Sequence, residues 1–215
     1  MTRAPATSPI ESLCQHAPVI PVLVIEQPDD AAPLARALVA GGLPVLEVTL
    51  RTEAALDAIG AMAAVPGAIV GAGTVLGPGD MARARDAGAT FAVSPGRTEA
   101  LLDAAEGESG LPLLPGAATA SEVMQLLERG YAVQKFFPAE PAGGAAMLGA
   151  LAGPLPQVRF CPTGGIGLDT APGYLELPNV ACIGGSWVAP AGLVRRGEWA
   201  AIEALARQAA ALPRG

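Results

Sequence analysis

Lys135 is the one lysine among thirteen basic residues, the other twelve being arginine. It stands in the run Ala132-Val133-Gln134-Lys135-Phe136-Phe137-Pro138. That run reads as a buried strand, with Val133 and Phe137 on the lysine's own face by period-two alternation. An amine can lose its proton and attack a carbonyl, which a guanidinium in practice cannot. Burial disfavours the charged ammonium, and this is how an imine-forming lysine is prepared. The other reading is a buried stem whose head reaches water at a strand end. A second charge lies in an equally apolar run, Pro44-Val45-Leu46-Glu47-Val48-Thr49-Leu50-Arg51, where Glu47, Thr49 and Arg51 share one face. A carboxylate there is costly unless paired or protonated, so Glu47 requires a partner. An internal Glu47–Arg51 ion pair is one solution. The other is a functional role, since an interior glutamate and an interior lysine in one barrel are more than packing requires.

Further runs end in glycine: Gly71-Ala72-Gly73-Thr74-Val75, Ser94-Pro95-Gly96 and Pro115-Gly116-Ala117. Glycine at a strand end lets a ligand approach the backbone or serves a tight turn, and both readings stand. The last two runs are more specific. One ends Cys161-Pro162-Thr163-Gly164-Gly165 and the other Ile183-Gly184-Gly185-Ser186-Trp187. Paired glycines with a hydroxyl suit an anion such as phosphate, bound by backbone N–H groups with Thr163 and Ser186 beside them. Tight turns alone are the alternative.

These residues need a frame. Strands are expected to begin near residues 19, 44, 68, 91, 112, 132, 158 and 180. Helices are expected over 8–16, 29–40, 53–64, 79–87, 98–106 and 120–129, with a closing helix over 198–211. Eight strands alternating with helices predict an α/β fold, a (β/α)8 TIM barrel with a short N-terminal helix. A doubly wound open sheet is the lesser alternative, because its edge strands would be shorter and more polar than these. At 215 residues, with no linker, the chain reads as a single domain over 1–215. Hydrophobic residues make up 51% and aromatics only 4%, so the core must be aliphatic and alanine-rich. In such a barrel chemistry collects at the C-terminal strand ends, where the residues named above fall.

Net charge is −7 and the sequence pI is near 4.7, with no arginine stripe. That argues against nucleic acid or an anionic membrane as partner and for a small-molecule ligand. Cys14, Cys161 and Cys182 are odd in number and form no CxxC pair, so neither a disulfide framework nor a thiolate metal site is expected. His16 is the only histidine, which excludes a histidine triad or multi-histidine metal site by count. Residues 1–12 lack the pattern of a secretory leader, and no apolar run reaches membrane-spanning length. A cytoplasmic protein is expected.

With these segments assembled, the chain resembles the bacterial 2-dehydro-3-deoxy-phosphogluconate (KDPG) aldolase family, also called 4-hydroxy-2-oxoglutarate (KHG) aldolases. The resemblance runs from about Pro18 to Ala206 and rests on VLEVTLRT at 45–52, GAGTV at 71–75, KFFPAE at 135–140, RFCPTGG at 159–165 and CIGGSW at 182–187. It implies a class I aldolase that needs no metal or other cofactor, assembles as a homotrimer and takes a phosphorylated 2-oxo acid as substrate. It matches Lys135 to the Schiff-base lysine and Glu47 to the general acid/base. Arg51 and Thr74 match the residues that hold the pyruvyl carboxylate, and Pro95 and Phe137 match residues lining the site. Thr163, Gly164, Gly165, Gly184, Gly185 and Ser186 match the phosphate end. Some relatives carry an arginine near the end of the first strand where this chain has Val24, so its contribution to phosphate must here come from backbone and hydroxyls. The activity implied is cleavage of KDPG to pyruvate and glyceraldehyde 3-phosphate, with cleavage of KHG to pyruvate and glyoxylate alongside it. The closest rival substrate is the 6-phospho-galactonate epimer. Thr163 favours the gluconate type, because relatives acting on the epimer tend to lack it. The rival of another class is a sugar-phosphate-binding barrel, an isomerase or binding module, without imine chemistry.

Overall fold

Val-, Ile- and Leu-rich runs separated by alanine-rich amphipathic stretches fold as alternating strands and helices in the computed structural model, which describes residues 8–107 and 110–215. Residues 1–7, part of the segment read above for a leader, lie outside the described residues. The strands are β1 (Val19–Leu23), β2 (Val45–Thr49), β3 (Ile69–Gly73), β4 (Phe91–Val93), β5 (Leu113–Leu114), β6 (Gly116–Ala117), β7 (Val133–Phe136), β8 (Arg159–Pro162) and β9 (Ile183–Gly185). The helices are α1 (Pro9–His16), α2 (Pro28–Ala40), α3 (Ala55–Ala63), α4 (Pro78–Asp86), α5 (Glu99–Glu106), α6 (Ala120–Glu128), α7 (Gly144–Ala152), α8 (Ala171–Leu175), α9 (Ala191–Arg195) and α10 (Trp199–Ala210).

Among the described residues every strand pairing is parallel. One sheet runs β5-β4-β3-β2-β1-β9 and the other β6-β7-β8. The two sheets join at both seams, so the circuit closes as the expected (β/α)8 barrel. At one seam β5 and β6 are consecutive pieces of the fifth strand, broken at Pro115, which has no N–H for the ladder. Its carbonyl still accepts from Lys135 N at 2.8 Å. At the other seam, parallel bridges link Phe160 to Val180 and Thr163 to Gly184. The eighth strand, expected near 180, therefore makes an isolated contact there and becomes regular only at Ile183.

Both faces of the strands are buried, and two apolar clusters divide them. The larger lies between barrel and helices and includes Leu46, Val48, Phe136 and Phe160. The smaller fills the barrel interior with Ile20, Val45, Phe91, Val93, Leu114, Val133, Cys161 and Cys182. Helix α1 closes this floor with Ile10 and Cys14, and Ser8 caps its start by accepting from Glu11 N at 3.1 Å. Cys14, Cys161 and Cys182 are all free thiols. Among the described residues no helix is long and apolar enough to cross a membrane.

Candidate active site

Strand β7 presents Lys135 inward because its neighbour is held on the other face. The Gln134 side-chain amide donates to Val123 O at 3.1 Å and Tyr131 O at 2.9 Å. Lys135, one residue on, points into the barrel above the apolar floor, and its Nζ lies 3.1 Å from Glu47 Oε1. Both side chains are almost sealed, 6% and 4% exposed, so the lysine head does not reach bulk water. The Phe137 ring lies on the same side, its centroid 5.3 Å from Nζ. Removing either partner would leave the other buried and uncompensated, so the pair is mutually dependent.

The internal Glu47–Arg51 ion pair does not form. Arg51 lies beyond the last residue of β2, where strand alternation no longer governs direction, and it is exposed. Its Nε donates to Thr74 Oγ1 at 3.2 Å, which leaves both terminal nitrogens without a protein partner among the described residues. A bidentate carboxylate would suit them. Thr74 has φ 59°, the one positive φ outside glycine among the described residues. A β-branched residue there is strained, and such strain gathers where a side chain must be aimed. Pro95 follows β4, half-buried at the mouth, and a Cβ on Gly116 would collide with its carbonyl group.

Sequence reasoning did not assign a role to Gly73. A Cβ at this position would collide with the Glu47 carboxylate, so the glycine makes the space in which that carboxylate turns toward Lys135. The GAG spacing carried the signal, but a tight turn explained it equally well. The same device recurs at Gly184, where a Cβ would collide with the Thr163 hydroxyl, itself buried.

At the far end of the mouth, Gly164 (φ 108°) and Gly165 (φ 84°) turn the chain after β8 in a conformation that favours glycine. Gly164 lies against the Phe137 ring, 3.4 Å from where a Cβ would stand. Gly185 serves packing, since the Trp187 ring covers the place where its side chain would be. Ser186 is exposed just past β9, and Val24 is 48% exposed just past β1. Ser186 makes no hydrogen bond to the Lys135–Glu47 pair among the described residues. One further pair was not foreseen. Tyr174, on α8, donates its hydroxyl to Glu140 Oε1 at 2.6 Å, beside Gly165. Thirty-four residues separate the two, and no local pattern marks them.

The family model described as KDPG and KHG aldolase matches residues 10–205. A KHG/KDPG aldolase of Escherichia coli K12 is 54% identical over 200 residues, 93% of each chain. The solved structure of the 2-keto-3-deoxy-6-phosphogluconate aldolase of Zymomonas mobilis ZM4 with 3-phosphoglycerate superposes with a TM-score of 0.93 at 53% identity. The match covers 98% of this chain and 99% of that one. A KDPG aldolase from Legionella pneumophila, with pyruvate captured at low pH as a covalent carbinolamine intermediate, gives a TM-score of 0.91 at 47% identity, covering 95% and 99%.

Proposed function

The chain belongs to the KDPG and KHG aldolase family, and from that premise we propose that it cleaves 2-dehydro-3-deoxy-6-phospho-D-gluconate to pyruvate and glyceraldehyde 3-phosphate through a Schiff base on Lys135. One observation carries the assignment of roles: a lysine and a glutamate buried together at the top of an apolar barrel, 3.1 Å apart.

Transfer of one proton from Lys135 to Glu47 gives a neutral amine and a neutral acid, with no net change of charge in the interior. The amine attacks the C2 ketone, and loss of water from the carbinolamine leaves a protonated imine. Glu47, having returned its proton to the departing water, takes the proton of the C4 hydroxyl directly or through a water. The C3–C4 bond then breaks. Its electron pair moves to the imine as an enamine, and glyceraldehyde 3-phosphate leaves. Glu47 gives its proton to C3, and hydrolysis of the imine releases pyruvate and regenerates the amine.

Arg51, held at Nε by Thr74, offers its terminal nitrogens as a fork to the substrate carboxylate. Phe137 and Pro95 wall the reacting carbons. The glycine turn at Gly164-Gly165, with Thr163, Gly184, Gly185 and Ser186, takes the phosphate through backbone N–H groups and hydroxyls. The same machinery acts on KHG, which shares the 2-oxo acid end. The functional unit is one catalytic domain, assembled as a homotrimer in a reducing cytoplasm, where its three cysteines stay free.

Borohydride reduction in the presence of pyruvate, followed by mass spectrometry, tests the reading. One pyruvate-derived adduct on Lys135 is the expected result. No adduct, with sugar-phosphate binding retained, would leave a binding module or isomerase instead. Faster turnover of the 6-phospho-galactonate epimer would overturn the substrate assignment alone.

A further inference from the structure

We propose that Tyr174 and Glu140 form a positioning pair for the phosphate end of the site, holding the Gly164-Gly165 turn in place through the Glu140 side chain. The inference rests on the reading of that turn given under Proposed function, and it adds two residues that the reading does not use.

Pairing between the segments after β7 and β8 runs on past the strands. Thr163 N donates to Phe136 O at 3.0 Å, Ala139 N to Thr163 O at 2.8 Å, and Glu140 N to Gly164 O at 3.0 Å. Glu140 is thereby anchored by its own backbone to the glycine turn. Its side chain then folds over the next residue. A Cβ on Gly165 would stand 2.7 Å from Glu140 Cγ and 2.8 Å from its Cβ, so the glutamate stem occupies the space above that glycine. The stem makes a lid over one flank of the turn, and the turn's position follows the stem's.

An exposed glutamate has no reason of its own to keep one rotamer, since fixing it costs side-chain entropy. Tyr174 supplies the reason. Its ring is only 2% exposed, locked between α8 and the barrel, and its hydroxyl reaches Glu140 Oε1 at 2.6 Å. Burial, and then the glutamate beside it, push the phenol well above its ordinary range, so it remains the donor throughout physiological pH. Gly144 (φ 60°) leaves room at the junction, where a Cβ would stand 3.2 Å from the tyrosine oxygen and 3.7 Å from Glu140 Oε2. The bond has a second effect. A carboxylate beside a phosphate site repels the phosphate, and the Tyr174 hydroxyl takes up part of that charge through the hydrogen bond.

The consequence is selective, because only a substrate whose phosphate occupies the turn responds to the turn's position. Tyr174→Phe is expected to raise KM for KDPG about tenfold while kcat stays within about twofold. Cleavage of KHG and the borohydride-trapped pyruvate adduct are expected to stay at wild-type levels. Glu140→Ala, which removes the stem, is expected to show the same selective rise and serves as the readout if Tyr174→Phe fails to fold. Glu140→Gln keeps both stem and acceptor, so it is expected to stay close to wild type. A wild-type KM for KDPG in Tyr174→Phe or in Glu140→Ala overturns the proposal, and so do equal losses on both substrates, which would mark the pair as merely structural. Failure of the aldolase reading itself would show separately, as absence of the pyruvate adduct in the wild-type protein.

Discussion

Arginine at position 135 would keep a positive charge beside Glu47 and remove the only lysine amine of the chain. Lys135→Arg is expected to abolish trapping with borohydride and pyruvate and to lower turnover by more than about 10³-fold, with the circular dichroism spectrum unchanged. Wild-type turnover in that variant would end the Schiff-base reading. Gly73 makes a sharper case, because it has no side chain to take part in the chemistry. Gly73→Ala places a methyl group where the Glu47 carboxylate now lies, turning the acid away from Lys135. Displacing a proton-transfer group by about 1 Å can cost on the order of 10²-fold in rate, so kcat is expected to fall by that factor with KM changed much less. A variant with unchanged kcat would show that Glu47 tolerates another position and that the 3.1 Å separation does not govern the rate.

Among the elements, helices and strand-end turns have different tasks, and their variants separate accordingly. Helix α6 begins with a capping box in which Thr119 Oγ1 accepts from Glu122 N at 3.3 Å while Glu122 Oε2 accepts from Thr119 N at 2.9 Å. Thr119→Ala is expected to lower stability by about 1 kcal/mol, a fall of roughly 2–4 °C in Tm, without altering kcat. The Ala118 N–H holds the Glu122 carboxyl below its usual range. Its stabilising contribution is therefore fully present above the unfolded pKa and is lost as pH falls through the lower folded value. The stability gap between wild type and Glu122→Gln should accordingly close in acid, as denaturant titrations at several pH values would show. On the reading proposed above, the turns carry substrate preference instead. Ser186, just past β9, is proposed to meet the phosphate, several bonds from the reacting carbons, so Ser186→Ala should act through binding alone. Loss of one hydroxyl bond to a charged phosphate is worth about 1.5–3 kcal/mol, or roughly 10- to 150-fold in kcat/KM for the phosphorylated substrate. KHG cleavage should change little. Equal losses on both substrates would make Ser186 structural.

At the scale of the whole molecule, the barrel is closed and its interior is filled, so the site is a mouth and not a channel. The floor sealed by Ile10 and Cys14 of α1 leaves the strand ends as the face from which a substrate meets Lys135. On the assembly proposed above, sedimentation at micromolar concentration is expected to give a homotrimer, and a monomer under those conditions would refute that reading.

Alternation, turn residues and the placement of the single lysine were enough to read eight strands, their order and the barrel, because each is a local consequence of side-chain periodicity and backbone chemistry. Lys135, Glu47 and the glycine turns were legible for the same reason, since an ionisable residue inside an apolar run is anomalous wherever it occurs. The partner of Glu47 was not legible. Arg51 shared its face by counting, yet the strand ends at Thr49, and Lys135, eighty-eight residues away, comes within 3.1 Å only when the barrel closes. The break of the fifth strand at Pro115, the space that Gly73 leaves for a carboxylate and the bond from Tyr174 to Glu140 belong to the same class. Each depends on distances between segments that no local pattern relates, and those distances exist only once parallel strands have been curled into a ring.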